Sequence, residues 1–141
     1  MPRRRRYWLA KSEPFKYSWS DFEKDGSTYW DGVRNAQARN SLAEMKKSDL
    51  VLFYHSNEGK EVVGIARVTK ESYPDPTTDD ERWVVVELAP LKAMKEPVTL
   101  QQIKSDPELA ETALIKQSRL SVMPLSKPAF DRILELGGTQ V

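Results

Sequence analysis

LVLFYHSNEGKEVVGIARVT, Leu50 to Thr69, is the stretch that decides the fold class. Its first six residues form a nearly unbroken apolar run of strand length, the pattern of a strand covered on both faces. Ser56 to Lys60 supply turn chemistry and Glu61 to Thr69 returns as a second strand, so the stretch reads as a hairpin. Gly64 inside the returning strand marks a bulge or a sharp bend, the device by which small barrels curl.

Working outward, Arg82 to Leu88 (RWVVVEL) is a third strand with Trp83 among its core residues, ended or edged by Pro90. Tyr7 to Lys11 is a short strand broken by Ser12, Glu13 and Pro14, and Ser118 to Pro124 (SRLSVMP) alternates like another. Between them lie helices announced by their ends. Ser18 with Asp21 is a capping box that starts a short helix carrying Trp19 and Phe22 and stopping at Gly26. Asn35 caps a helix that turns Ala38, Leu42 and Met45 to one side. Thr99 with Gln102 opens another, Asp106–Pro107 a further short one, and Ser126 a last one with Phe130, Ile133 and Leu134 facing inward before Gly137 and Gly138. Four or five strands with helices before and after make an α+β domain built on a small curled sheet or barrel.

A chain of 141 residues is one domain by size. The net charge of +1 hides an asymmetry: residues 1–70 carry +5 and residues 71–141 carry −4. Most of the excess is the run Arg3 to Arg6, which reads as a solvated basic tail over residues 1–6 or as an arm touching phosphate. Without it the domain, residues 7–138, is close to neutral, so nucleic-acid affinity has to come from a pocket more than from a charged surface. Residues 139–141 read as a C-terminal tail. There is no cysteine and only one histidine, which excludes disulfides and thiolate chemistry and makes a metal site unexpected. No apolar run approaches a membrane span and no leader pattern opens the chain, so a cytoplasmic protein without membrane contact or cofactor is expected.

WDGVRNAQARN, Trp30 to Asn40, packs an indole, two arginines, two asparagines and a glutamine into eleven residues. A stacking face beside amide and guanidinium donors is what a planar heterocycle such as a nucleobase requires. The same residues also fit a packing tryptophan followed by a capped and braced helix. No phosphate-cradling glycine loop, nucleophile elbow or paired-histidine metal motif occurs, and no catalytic residue is assigned. Glu13, beside Ser12 at a strand end, is the best single carboxylate for acid–base work, and equally a surface loop residue.

Taken in order, YWLAKSEP (Tyr7 to Pro14), WDGVRNAQARN, DLVLFYHSN (Asp49 to Asn57), VVGIARV (Val62 to Val68), YPDPT (Tyr73 to Thr77), RWVVVEL, PVTLQQIKSDPEL (Pro97 to Leu109) and RLSVMP (Arg119 to Pro124) closely resemble the EVE domain family, of the PUA-like superfamily and related to YTH domains. The likeness runs from Tyr7 to about Gly138. It implies a PUA-like small mixed β-barrel flanked by short helices, and a non-enzymatic reader of one modified base, methylated or hydroxymethylated for example, in DNA or RNA. The resemblance carries base contact over to Ser12 and stacking to Trp30. It places Asn35, Arg39, Asn40, Tyr54, His55, Ser56, Arg119 and Ser121 in the pocket or on its rim, and Glu13, next to Ser12, is counted with them. Two positions depart from the family: the loop before Trp83 is short, and Ala36 replaces a usual aromatic.

The expected mechanism swings a base out of the strand onto Trp30, with Ser12 and nearby backbone on its polar edge and Arg39 or Arg119 on an adjacent phosphate. Stacking on one aromatic gives about 1–3 kcal/mol, which roughly offsets extraction and leaves the modification to decide. Two other classes stand beside it: a nucleic-acid or nucleotide-modifying enzyme working through a pocket carboxylate, and a binder of a free small molecule.

Overall fold

The structure, a computed structural model, describes residues 5–141. Residues 1–4 of the basic tail lie outside the described residues. Arg6, at its inner end, donates from its backbone to Asp49, pairs with Glu44 and lies 4.4 Å from the Trp8 ring.

Six strands form one sheet in the order β2-β5-β4-β3-β1-β6. β1 (Tyr7–Ser12) runs parallel to β3 (Leu50–His55), and β6 (Val122–Leu125) flanks β1 antiparallel. β4 (Glu61–Pro74) returns from β3 as the expected hairpin, β5 (Val84–Thr99) returns from β4, and β2 (Thr28–Tyr29) closes the far side. The sheet is not closed into a barrel, which corrects the expectation drawn from the resemblance. The edge strands β2 and β6 do not pair with each other. β2 has only two residues, and β6 has four, one of them Pro124, which offers no N–H to a ladder. Bulges in β4 bend the strands without bringing the edges together.

β5 is longer than its sequence suggests. It starts after Trp83, passes through Pro90 opposite Ala66 beside a register shift, and continues to Thr99. A proline is tolerated at such an irregularity because no regular ladder bond is lost there.

The helices begin where local chemistry says they should. Ser18 and Asp21 cap each other reciprocally at α1 (Trp19–Asp25), and Gly26, at φ 75°, ends it in the left-handed region. The Asn35 side chain accepts from the Ala38 amide to start α2 (Ala36–Glu44), Thr99 and Gln102 box α3 (Leu100–Ser105), and Ser126 caps α5 (Lys127–Leu136). Asp106–Pro107 is the exception: Asp106 ends α3, turns follow, and α4 (Ala113–Lys116) starts only after Thr112. Asp106 instead accepts from Arg132 of α5 at 2.7 Å, tying the turn to the last helix.

Trp8 is fully buried and its indole N–H donates to the buried Asp49 carboxylate at 3.0 Å, so its core role comes with a polar anchor. Gly64 has a sharper reason than bending. A Cβ there would sit 2.4–2.5 Å from the six-membered ring of Trp19, so the indole lies directly on the β4 backbone. Trp19 is held there by ring contacts with Phe22 and Phe53, its own buried N–H having no partner among the described residues. None of the helices among these residues is long and apolar enough to cross a membrane.

Candidate nucleic-acid interface

Strand alternation divides the expected site in two. Lys11 sits opposite Tyr54 and Ser12 opposite His55 in the β1–β3 ladder, and successive residues point to opposite faces. Tyr54 therefore faces one side of the sheet with Lys11, while Ser12, His55 and Phe53 occupy alternate positions that set the first two on the other.

On the Lys11 side lies an open cleft of about 500 Å³. Of the expected residues it gathers Glu13, Tyr54, Ser56, Arg119 and Ser121. It adds Lys11, Asn57, Lys60 and Ser118, with Leu100 and Leu114 as its apolar floor. The Lys11 ammonium donates to the Ser118 carbonyl at 2.8 Å and stands 5.8 Å from the Tyr54 ring, and burial pushes its pKa down. The Tyr54 hydroxyl is pushed up to about 12 by burial, then by the charge of Glu61, so it stays a neutral donor. Arg119 and Lys60 are exposed and carry no carboxylate partner among the described residues. Glu13, the only carboxylate of the lining, accepts from Asn57 at 2.8 Å and lies 3.4 Å from the Lys16 ammonium. Three cations thus face one carboxylate that is already engaged, which makes the cleft receptive to an anion. Among the described residues no group of acids and histidine is arranged to hold a metal ion. A neighbouring depression of about 340 Å³ shares Ser118 and Arg119 and is lined by Asn35 and Gln37.

On the other side, Ser12 and His55 are fastened to the α1 region. The Ser12 hydroxyl donates to the Tyr17 carbonyl at 2.6 Å, and its carbonyl accepts from the Ser56 amide. His55 Nε2 accepts from the Trp19 amide at 3.1 Å, so the ring is neutral with its proton on the other nitrogen. Trp30 retains 8 % exposure and meets Phe53 edge-on at 5.5 Å, its amide bonded to the Val86 carbonyl. Neither cleft described above is lined by it. Arg39 and Asn40, on α2, bond to each other, and Arg39 reaches the Trp83 ring instead of the cleft.

Trp83 itself is half-buried and stands outside both the strand and the core cluster, a correction to its expected core position. It closes a loop whose hub is Asp75. That carboxylate, fully buried, accepts from the Thr77 hydroxyl and amide, the Gly32 amide at 3.2 Å and the Arg34 guanidinium at 3.0 Å. Burial alone would raise its pKa, but the Thr77, Arg34 and Gly32 bonds outweigh it and hold it at about 2. The loop Gly32–Arg34 is thereby clamped to the β4–β5 connection. Lys11 and Lys60 were missed because a strand lysine and a turn lysine carry no local pattern; only the register shows that they converge.

One consequence concerns pH. Burial pushes the pKa of His55 down, with Glu61 opposing. Its contribution to stability is complete above the unfolded value near 6.5 and is lost as pH falls through the lowered folded value, because protonation removes the acceptor for Trp19. Because His55 is the only histidine, urea unfolding between pH 7.5 and pH 5 should show stability falling, by at most about 1.4 kcal/mol per pH unit. In His55→Gln the slope should flatten. An unchanged slope would place the titration elsewhere.

The comparisons agree with this architecture. Residues 6–136 match the EVE domain, and the chain belongs to the EVE domain family. A crystal structure of a protein from Agrobacterium tumefaciens is 42 % identical with a TM-score of 0.93, over 95 % of this chain and 94 % of that one. Mouse thymocyte nuclear protein 1 is 35 % identical over 168 residues, covering 95 % of this chain and 74 % of the relative. The crystal structure of human THYN1 protein in complex with 5-methylcytosine containing DNA is 32 % identical with a TM-score of 0.88, over 96 % of this chain and 99 % of that one.

Proposed function

We propose that this chain is a non-enzymatic module that binds nucleic acid bearing a modified base, methylated cytosine in the first instance. The observation that carries the reading is the similarity, across nearly the whole of both chains, to human THYN1 protein solved in complex with 5-methylcytosine containing DNA. The cleft supports it, since Lys11, Lys60 and Arg119 suit a phosphodiester strand while Tyr54 and the serines supply neutral donors and acceptors. Trp30, 8 % exposed and lining neither cleft, and Ser12, across the sheet from the Lys11 cleft, take the stacking wall and the base edge on the family resemblance alone. The only hydroxyl proton of Ser12 is spent on Tyr17, which leaves oxygen lone pairs to accept. It therefore suits the exocyclic amine of cytosine or adenine rather than a thymine carbonyl.

Matched DNA and RNA oligonucleotides with unmodified, 5-methylated and 5-hydroxymethylated cytosine and N6-methylated adenine test this at stated salt. Tighter binding to one modified base than to its unmodified match is expected. Arg119→Gln should weaken every oligonucleotide alike and reduce the slope of log affinity against log salt by about 1. Binding of the free modified nucleoside as tight as that of the oligonucleotide, with no salt dependence, would favour a small-molecule binder instead.

A further inference from the structure

Trp83 is where the molecule offers an aromatic surface that the base pocket does not use. Of the four tryptophans, Trp8, Trp19 and Trp30 belong to the core cluster and Trp83 does not. Its neighbours are cations: the guanidinium carbons of Arg34, Arg39 and Arg82 lie 5.7, 5.8 and 5.7 Å from its ring. They are not equivalent. Arg34 is held by buried Asp75 and Arg82 by Asp80 at 2.6 Å, whereas among the described residues Arg39 is held only by the amide oxygen of its neighbour Asn40. Arg39 is thus the guanidinium free to leave the indole.

Resting on the nucleic-acid reading above, we propose that Trp83 is a second stacking surface, taking an unpaired nucleobase that flanks the recognised one while Arg39 swings from the ring to that nucleotide's phosphate. An exposed guanidinium–indole contact is weaker than stacking of a base on an indole, so the exchange runs towards the base. The local charge favours stacking over phosphate tracking: Asp75 and Asp80 neutralise two of the arginines, and Asp79 and Glu81 stand exposed in the same loop. The clamp of Gly32 and Arg34 onto Asp75 ties this loop to the segment that follows Trp30.

The test compares wild type, Trp83→Leu and Trp83→Phe on a modified single strand of about nine nucleotides and on the single modified nucleotide, with thermal unfolding as a control for folding. Trp83→Leu should lose about tenfold in affinity for the strand and nothing for the nucleotide. Trp83→Phe should recover part of the loss, and the ratio of modified to unmodified binding should stay constant in all three. Equal strand affinity in wild type and folded Trp83→Leu overturns the second surface and leaves the reader intact. A changed modified-to-unmodified ratio also overturns it, by placing Trp83 in the base pocket. Absence of nucleic-acid binding by the wild type overturns both readings.

Discussion

Asp75→Ala is expected to lower stability by about 3 kcal/mol, roughly 10 °C in Tm, and to weaken oligonucleotide binding even at temperatures where the variant stays folded. The size follows from what the carboxylate holds. It is fully buried, and its removal leaves the amides of Gly32 and Thr77 and the guanidinium of Arg34 without their acceptor. These donors sit on exposed residues around the buried carboxylate, so what each loses is a bond to a charged acceptor. The loss of binding follows from position, because the clamp fixes the segment that leaves Trp30. Asp75→Asn retains acceptor oxygen but cannot answer the charge of Arg34, so it should cost less than half as much. Acid has the same effect on the wild type. A carboxyl held at about 2 when folded contributes fully above its unfolded value near 4, and that contribution, about 2 kcal/mol, disappears as pH falls from 4 to 2. In Asp75→Asn this component of acid unfolding should be missing. Urea midpoints at pH 7 and pH 3 for the three proteins decide it; parallel pH profiles for wild type and Asp75→Asn would show that Asp75 is not the group that titrates.

Gly64→Ala should cost about 2–3 kcal/mol, an effect far beyond what one methyl group does at most strand positions. The added carbon would stand 2.4–2.5 Å from Trp19 ring atoms. The indole has little room to yield, since Phe22 and Phe53 pack against it at 5.5 and 5.4 Å and its amide is tied to His55. Strain should therefore pass to α1 and to the His55 contact. Trp19→Phe removes the colliding atoms at the price of a cavity, and the two substitutions together should cost less than the sum of the two alone. Strict additivity in urea unfolding would mean that the alanine is accommodated by backbone movement and not against the indole.

What could be read from the chain tracks how local each signal is. The capping pairs Ser18–Asp21 and Thr99–Gln102, the Asn35 and Ser126 caps and the Gly26 stop involve residues within a single turn, so they were legible without any tertiary knowledge. The β3–β4 hairpin was legible for the same reason. Openness of the sheet was not, because closure depends on whether β2 and β6 meet, and nothing local to either strand encodes that. Pro90 stopped the reading of β5 although the bulge beside Ala66 absorbs it, and the bulge is visible only in the pairing. Among site residues, Glu13, Tyr54, Ser56, Arg119 and Ser121 converge in one cleft as a list, yet the alternation that puts Tyr54 with Lys11 and sets Ser12 on the opposite side depends on register. A tryptophan beside three valines looks like a strand interior, yet Trp83 is half-buried and outside the core cluster. Its environment is set by arginines from α2 and from the preceding loops.

An unclosed sheet has margins that a second polypeptide can extend by strand addition, and here they are guarded. One margin is two residues long. The other carries a proline at its middle, and the long flank of β5 beyond β2 holds Pro90 and Pro97, with the Lys95 and Glu96 amides occupied by Thr139 and Gly137. A domain that leaves its sheet open thus keeps resistance to self-templated assembly, and trimming the last five residues is the change that would erode it.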